Sequence, residues 1–298
     1  MPETLGFIGL GNMGEPIALN LMAADYSLRV YNRTGQKAAP LKAKGAAVVV
    51  NPADVAQPGG IVLSMLADDG ALESVCLSEG SFVEKLGRGG LHVSLSTIAP
   101  ATARRLSEHH AKLGVDYLAC PVFGRPEAAA AKKLWICMSG PAAARKRALP
   151  LAAAIGQGNF EFGEDPAAAN VVKLCGNFMI ASTIEALAEL LTLGQKNGVD
   201  PRSIAELLGV FSPLFSNYGK IIAEQKFEPA GFRLALGLKD INLVLQTAAE
   251  STTPLPLASL LHDRWLSAIA KGRADLDWSA IALGVAEDAG LQQKAVNA

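Results

Sequence analysis

This sequence of 298 residues has no excess of basic residues, no long apolar run and no basic N-terminal stretch followed by a hydrophobic one. Lys and Arg total 27 and Asp and Glu total 28, so no basic surface for nucleic acid is expected. No run of about 18 apolar residues occurs, which predicts no membrane span. The N-terminus has no basic stretch ahead of a hydrophobic one, which indicates no signal peptide. We therefore expect a soluble, cytoplasmic protein.

The four cysteines and four histidines are too few and too scattered to suggest a disulfide framework or a metal site. No Cys-x-x-Cys pair occurs, so buried free thiols are expected. The histidines share no zinc-ligand spacing with the cysteines, and we predict no bound metal. Half of the residues are hydrophobic, which provides for two buried cores in a chain of this length.

Short β-rich runs alternate with helical stretches in the first part of the sequence. Strands are predicted at residues 4–10, 27–32, 46–50, 60–66, 91–96, 117–122, 134–139 and 160–163. Helical stretches at residues 15–24 and 35–44 separate the first of these strands. The alternation predicts an α/β fold with a Rossmann-type parallel sheet covered by helices on both faces. We assign residues 1–163 to this domain.

Beyond residue 163 the pattern is helical. Asp165 and Pro166 provide an N-cap and a first-turn proline, and Asn197 and Gly198 are stop signals. The intervening helix would be about 45 Å long, too long for one small domain, so we predict that it joins two domains. Further helices are predicted at residues 201–211, 218–225, 234–250, 257–270 and 278–289. Residues 164–298 are therefore assigned to an all-helical domain.

A glycine-rich motif directly follows the first predicted strand and precedes a helix. It fits G-x-G-x-x-G and consists of Gly9, Leu10, Gly11, Asn12, Met13 and Gly14. In a β-α-β unit, the first glycine of this motif permits a tight turn and the second lets the backbone approach a pyrophosphate. The third lets the helix pack on the sheet, with its N-terminus toward the phosphates. The motif predicts a dinucleotide-binding site in the first domain.

The end of the second predicted strand indicates which dinucleotide is bound. NAD-selective sites place Asp or Glu there to bind the ribose hydroxyls. This sequence has Asn32, Arg33 and Thr34 instead. A guanidinium can bind a 2′-phosphate through charge-assisted hydrogen bonds, whereas a carboxylate would repel it. We therefore predict NADP(H) as the cofactor; the alternative is that Arg33 is an ordinary solvated surface residue.

Six short motifs, in their order and spacing, make the chain resemble the β-hydroxyacid dehydrogenase family. The motifs are Gly-Phe-Ile-Gly-Leu-Gly-Asn-Met-Gly at residues 6–14, Ser64-Met65-Leu66, Ser96-Thr97, Pro121-Val122-Phe123-Gly124, Lys173 with Asn177, and Lys239-Asp240. The family includes 3-hydroxyisobutyrate dehydrogenases and glyoxylate/succinic semialdehyde reductases. The resemblance covers nearly the whole chain.

The resemblance implies roles for five residues. Leu66 and Thr97 flank the nicotinamide side of the cofactor, and Lys239 reaches over from the helical domain to close the site. Lys173 is the catalytic acid/base with Asn177 beside it. The residues themselves agree with this, because positions i and i+4 share one face of a helix. An ammonium can stabilise and protonate a developing alkoxide if partial burial and nearby positive charge lower its pKa toward neutrality.

One motif departs from the family pattern. The family usually has a serine and two glycines after Pro-Val, and that serine and its neighbours bind the substrate carboxylate; this sequence has Phe123, Gly124 and Arg125. Phe123 has no hydroxyl, which puts a standard 3-hydroxy acid in doubt. Arg125 is either a bidentate partner for an anionic substrate group or an ordinary loop arginine. The stretch Gly-Arg-Pro-Glu-Ala also resembles imine reductases, although those usually carry Asp or Tyr in place of Lys173.

These observations together predict an NADPH-dependent reductase of a small aldehyde or ketone, with a carboxylate or other acid group on the substrate. In the reverse direction the same enzyme is a hydroxyacid dehydrogenase. The alternatives are an imine reductase and a non-catalytic NADP-binding protein. Retention of Lys173 and Asn177 in register argues against the non-catalytic alternative. The family resemblance and the long apolar helix suggest a homodimer or homotetramer.

Overall fold

The computed structural model describes residues 3–291. The chain divides into two compact units, the first ending at Lys173 and the second beginning at Leu174. The predicted domain limit near residue 163 marks the point where the β-structure ends, and as a domain boundary it stays a prediction. The two units are described separately below.

The first unit contains a six-stranded parallel sheet in the order β3-β2-β1-β4-β5-β6. Its strands are β1 (Thr4–Ile8), β2 (Ser27–Tyr31), β3 (Ala47–Val48), β4 (Ile61–Ser64), β5 (Leu91–Ser94) and β6 (Asp116–Ala119). Every residue of β4 and β5 is buried, as expected for strands covered on both faces. The predicted Rossmann-type sheet is confirmed.

Several strands end earlier than the sequence pattern predicted. Residues 9–10, 65–66 and 95–96 lie beyond the ends of β1, β4 and β5, although they continue the apolar runs of those strands. Gly9 adopts a φ of +96°, which turns the chain out of the strand conformation. These residues therefore lie in loops at the carboxyl edge of the sheet, where α/β folds of this type bind ligands.

A second, three-stranded sheet differs from the single sheet that the pattern predicted. It comprises β7 (Val122–Phe123), β8 (Leu134–Met138) and β9 (Gly156–Glu161), in that order. The strand predicted at residues 117–122 is split between the two sheets at Cys120 and Pro121. Proline has no N–H to donate to a β-ladder, which explains the break. β7 pairs with β8 antiparallel and β8 with β9 parallel.

Helices cover the sheet of the first unit on both faces. They are α1 (Gly14–Ala23), α2 (Ala39–Ala43), α3 (Asp69–Cys76), α4 (Phe82–Leu86), α5 (Pro100–Lys112), α6 (Pro126–Ala130) and α7 (Ala142–Ile155). Successive strand residues contribute to different cores: Leu63 belongs to one apolar cluster and Val62 to another. Side chains alternate across a strand, so these clusters lie on opposite faces of the sheet.

The second unit is built from helices, and its core is lined by aromatic and branched side chains. Helix α8 (Ala168–Lys196) enters it from the first unit, followed by α9 (Pro201–Gly209), α10 (Pro213–Glu224), α11 (Leu234–Glu250), α12 (Pro256–Ala270) and α13 (Ile281–Asp288). Trp265 and Trp278 are buried in the core, with ring centroids 6.5 Å apart. The predicted helical domain is confirmed, and the limits of α11 are those that the sequence predicted.

Helix α8 is long and apolar enough to satisfy a length and hydropathy test for a membrane-crossing helix. The core helix of a soluble protein satisfies the same test, so the result by itself is weak evidence. Ile184, Leu187 and Leu191 of α8 are buried in the core of the second unit. Packing within the second unit thus accounts for these three side chains, whereas Met179 and Leu193 of the same helix are exposed.

Candidate active site

The glycine-rich loop leaves room for a phosphate where the sequence predicted it. A Cβ at Gly9 would overlap the carbonyl oxygen of Met65, and a Cβ at Gly14 would overlap that of Gly9. A Cβ at Gly11 would meet no atom of residues 3–291 within 4 Å. Gly9 and Gly14 are therefore required for close packing, whereas Gly11 faces open space beside the start of α1. This cradle fits the pyrophosphate of a dinucleotide.

Asn32 braces the glycine-rich loop from the end of β2. Its Oδ1 accepts a hydrogen bond of 2.8 Å from the Leu10 N–H, and its Nδ2 donates one of 2.9 Å to the Thr34 carbonyl oxygen. Arg33 and Thr34, which follow Asn32, have exposed side chains. Asn32 thus connects the glycine-rich loop to the segment that carries Arg33, a structural role that the sequence pattern did not indicate.

Leu66 and Thr97 follow the ends of two neighbouring parallel strands, β4 and β5. The Leu66 N–H donates a hydrogen bond of 2.8 Å to Oγ of Ser96, a side chain that is 1% exposed. The Met65 N–H donates to the Ile8 carbonyl oxygen at 2.9 Å. Both Leu66 and Thr97 are half-buried. Ser96, noted in the sequence only as part of a motif, holds the backbone of the Leu66 loop.

Lys173 lies in the second turn of α8 and contacts an aromatic ring. Lys173 is 8% exposed, and its Nζ lies 4.0 Å from the ring centroid of Phe123. This is a cation–π contact. Burial raises the pKa of the Cys137 thiol, and the positive charge of Lys173 acts in the opposite direction. The structure therefore brings Lys173 together with Phe123, a residue that the sequence assigned to the substrate side.

Gly124 and Arg125 lie between β7 and α6. The Arg125 side chain is half-buried, with its Nη1 atom enclosed. The short helix that follows is fixed to α1, because Nδ2 of the buried Asn20 donates a hydrogen bond of 2.6 Å to the Ala129 carbonyl oxygen. The segment that carries Arg125 is thus attached to the helix that begins at the glycine-rich loop. Asn20 was not identified from the sequence.

In the second unit, Asn177 and Lys239 share one buried carboxylate. Nδ2 of Asn177 donates to Oδ2 of Asp240 at 2.5 Å, and Nζ of Lys239 lies 2.7 Å from Oδ1 of Asp240. Asp240 is 2% exposed. The sequence predicted functions for Asn177 and Lys239 but not that Asp240 would orient both of them.

A buried hydrogen-bonded chain brings together histidines that the sequence spacing kept apart. Ser64 Oγ lies 2.9 Å from His92 Nε2, and His92 Nδ1 lies 2.9 Å from His110 Nε2. His110 Nδ1 lies 2.6 Å from the Leu106 carbonyl oxygen. A carbonyl oxygen only accepts, so with neutral rings His110 donates to Leu106, His92 donates to His110, and Ser64 donates to His92.

Cys76 lies beside these two histidines, and its ligand atom and those of His92 and His110 lie within 4.8 Å of one another, which makes them a possible metal-ligand set. All four ring nitrogens of the two histidines already have hydrogen-bond partners. Burial also raises the pKa of the Cys76 thiol well above its usual value. The residues therefore suit a neutral hydrogen-bonded core better than a metal site.

Of the four cysteines, three are buried and Cys175 is exposed, in contrast to the expectation that all are buried.

Comparison with known proteins identifies the family. Residues 4–175 match the NAD binding domain of 6-phosphogluconate dehydrogenase. Residues 167–285 match the NAD-binding domain of NADP-dependent 3-hydroxyisobutyrate dehydrogenase. The oxidoreductase YfjR of Bacillus subtilis is 44% identical over 279 residues, which is 93% of this chain and 98% of the relative. The chain belongs to the β-hydroxyacid dehydrogenase family.

Two further relatives illustrate this β-hydroxyacid dehydrogenase family. The 2-hydroxy-3-oxopropionate reductase of Escherichia coli is 32% identical, over 93% of this chain and 95% of the relative. The solved structure of 3-hydroxyisobutyrate dehydrogenase from Mycobacterium tuberculosis has a TM-score of 0.85 and 26% identity, covering 96% of this chain and 99% of the other. As a β-hydroxyacid dehydrogenase family member, the chain is an oxidoreductase that acts on a small molecule and uses a nicotinamide cofactor.

Proposed function

We propose that this protein is an NADPH-dependent reductase of a small aldehyde or ketone that bears an acid group. The observation that carries the proposal is the buried ammonium of Lys173, held at the face of Phe123 in the unit that contains the glycine-rich loop. A buried cation suits the stabilisation of an oxyanion. We further propose that the enzyme is cytoplasmic and forms a homodimer or homotetramer.

Lys173 is the proposed proton donor. The cofactor, when bound, supplies a hydride to the carbonyl carbon of the substrate. Lys173 then transfers a proton from Nζ to the carbonyl oxygen, so that one N–H bond breaks and one O–H bond forms. Because Lys173 is buried, few water molecules compete for that proton. In the oxidative direction the neutral amine takes the proton back.

Asn177 is proposed to hydrogen-bond the same substrate oxygen from a position one helical turn beyond Lys173. Asp240 supports this role, because its carboxylate accepts from Nδ2 of Asn177 and so orients the amide. The same carboxylate orients the ammonium of Lys239, which we propose contacts the cofactor. Asp240 is therefore a positioning residue for both side chains.

The preference for NADPH is proposed from the loop after β2. Arg33 is exposed directly after Asn32, and Asn32 is attached to the glycine-rich loop through the Leu10 N–H. A guanidinium in this position can bind a 2′-phosphate, and no carboxylate occupies the position where NAD-selective proteins carry one. Leu66 and Thr97 are proposed to flank the nicotinamide, since they follow the ends of β4 and β5.

Arg125 is the proposed partner of the acid group on the substrate. Phe123 cannot donate a hydrogen bond, whereas a guanidinium binds a carboxylate or phosphonate through two parallel hydrogen bonds. The attachment of Ala129 to Asn20 supports the proposal, because it fixes the segment that carries Arg125 against α1. Gly124, which lies between Phe123 and Arg125 in the sequence, contributes its backbone to the same proposed substrate site.

The test is NADPH consumption with glyoxylate, succinic semialdehyde, methylglyoxal, an oxo-phosphonate and a cyclic imine. NADH serves as the cofactor control, and Lys173→Ala and Lys173→Arg are measured beside the unmodified protein. We expect carbonyl turnover that prefers NADPH and falls by about 10²-fold or more in Lys173→Ala. Cyclic imine turnover that survives this substitution would identify an imine reductase. Binding of NADPH without turnover of any substrate would indicate a non-catalytic protein.

A further inference from the structure

The contact between Phe123 and Lys173 joins two elements that are fixed independently of each other. Phe123 ends β7 and pairs with Trp135 of β8, and its ring packs on the apolar cluster that also supports Leu66. Lys173 is carried by α8, whose first turn is attached to the residue after β8 by a 2.9 Å hydrogen bond from the Ala169 N–H to Ser139 Oγ. The 4.0 Å separation therefore does not depend on a mobile loop.

The Phe123 ring gives the buried ammonium of Lys173 a favourable electrostatic contact. A lysine side chain has a flexible four-carbon stem, and its strongly hydrated ammonium loses water when it is buried. The face of an aromatic ring carries negative electrostatic potential and attracts a cation within about 6 Å of its centroid. A neutral amine gains much less from that potential. The Phe123 ring thus favours the charged form of Lys173 and restricts where its Nζ can lie.

We propose that Phe123 is a positioning residue that holds the Lys173 ammonium in place for proton donation. The proposal rests on the proposed reductase function and deepens it, because a lysine kept charged is prepared for carbonyl reduction rather than for alcohol oxidation. It also gives a reason for an aromatic residue at this strand end. The position serves the proton donor, and recognition of the acid group is left to Arg125, two residues further along the chain.

The decisive variants are Phe123→Leu and Phe123→Tyr. Leucine fills much of the same volume without an aromatic face, whereas tyrosine keeps the face. For the carbonyl substrate that the panel identifies, we expect kcat for reduction to fall about tenfold in Phe123→Leu with KM nearly unchanged. Phe123→Tyr should retain kcat within about twofold. A purely packing role would predict the reverse order, or a change confined to KM or to the melting temperature.

A spectroscopic measurement tests the contact without turnover. In protein labelled with ¹³C-lysine, the Lys173 Cε–Hε signal is assigned by its disappearance in Lys173→Arg. Protons above an aromatic face are shifted upfield, so we expect this signal upfield in the unmodified protein and in Phe123→Tyr. It should return to the ordinary lysine position in Phe123→Leu. Phe123→Met replaces the leucine variant if that variant does not fold.

The two measurements separate failure of this inference from failure of the proposed function. Lys173 at the ordinary lysine position in the unmodified protein would overturn the inference whatever the activity. An upfield signal with carbonyl turnover unaffected by Phe123→Leu would overturn it as well. An upfield signal in a protein that reduces no carbonyl would overturn the proposed reductase function and the role of Phe123 in reduction. The contact between Phe123 and Lys173 would still be supported.

Discussion

The amide nitrogen of Asn177 lies 2.5 Å from a carboxylate oxygen of Asp240, a residue that is 2% exposed. The other oxygen of this carboxylate lies 2.7 Å from Nζ of Lys239. A buried carboxylate is tolerated only when its oxygens are paired, and removal of its charge leaves the partners incorrectly satisfied. Asp240 therefore links the stability of the helical unit to the orientation of two proposed site residues.

Substitution of Asp240 should affect stability and function together. Asp240→Asn retains the side-chain shape but removes the charge, and we expect it to lower the free energy of unfolding by about 2 kcal/mol. The affinity for NADPH should fall as well, since Lys239 loses its partner. Urea denaturation and fluorescence titration measure the two effects. Asp263→Asn is the matched control, because the Asp263 side chain is 83% exposed. Equal effects of the two substitutions would contradict the role of Asp240.

The cofactor preference should depend on Arg33. Arg33→Ala removes the proposed guanidinium partner of the 2′-phosphate, so the Kd for NADPH should rise about 10- to 100-fold while that for NADH changes little. Titration of intrinsic fluorescence with each nucleotide measures both constants. Arg88→Ala, which removes another exposed arginine, is the control. An equal loss of affinity for NADPH and for NADH would indicate that Arg33 supports the structure of the loop and does not select between the two nucleotides.

Asn32→Asp should reverse the preference between the two nucleotides. The carboxylate keeps an oxygen that accepts from the Leu10 N–H, so the brace on the glycine-rich loop is retained. It also places a negative charge where NAD-selective proteins have one, which repels a 2′-phosphate. We expect the ratio of kcat/KM for NADPH to that for NADH to fall by about 10²-fold. Asn32→Ala, which removes the hydrogen bond to the Leu10 N–H, should weaken the binding of both nucleotides. An unchanged ratio of kcat/KM in Asn32→Asp would argue against NADPH selectivity at this loop.

The buried histidine chain should make the first unit sensitive to acid. Burial lowers the pKa of His110 from 6.5 to about 4, and it lowers that of His92 well below its usual value. As pH falls below 6.5, the unfolded chain takes up protons that the folded chain refuses, so stability decreases. For His110 the loss reaches about 3 kcal/mol by pH 4, where the folded state is also protonated.

Urea denaturation between pH 7 and pH 4 measures this loss. Hydrogen bonds from Arg104 and Arg273 lower the pKa values of Asp165 and Glu287, which lose their own contributions only as pH falls below their ordinary values of 3.8 and 4.5, so the loss between pH 6.5 and about pH 5 reports on the histidines. His110→Gln should be less stable at pH 7 but lose less stability on acidification. His262→Gln, at a partly exposed side chain, should leave the pH dependence unchanged. An unchanged slope in His110→Gln would show that the chain is not the sensitive element.

The sequence by itself determined those elements that are specified by residues only a few positions away. The motif at residues 9–14 predicted a tight turn between a strand and a helix, because glycine spacing reports directly on backbone geometry. The helix through Lys173 was predicted from Asp165 and Pro166 at its start and Gly198 at its end, since capping residues lie next to the turns that they cap. Order and spacing of the motifs were also enough to indicate the family.

Tertiary structure decided the contacts between residues far apart in sequence. Phe123 and Lys173 are separated by two helices and two strands, Asn177 and Asp240 by 63 positions, and Asn20 and Ala129 by 109. Spacing rules describe one helix or one strand, and they carry no information about which side chains meet when elements pack. The partners of Lys173 and Asn177, and the Ser64–His92–His110 chain, therefore depend on strand order and helix packing, which bring distant residues within hydrogen-bonding distance.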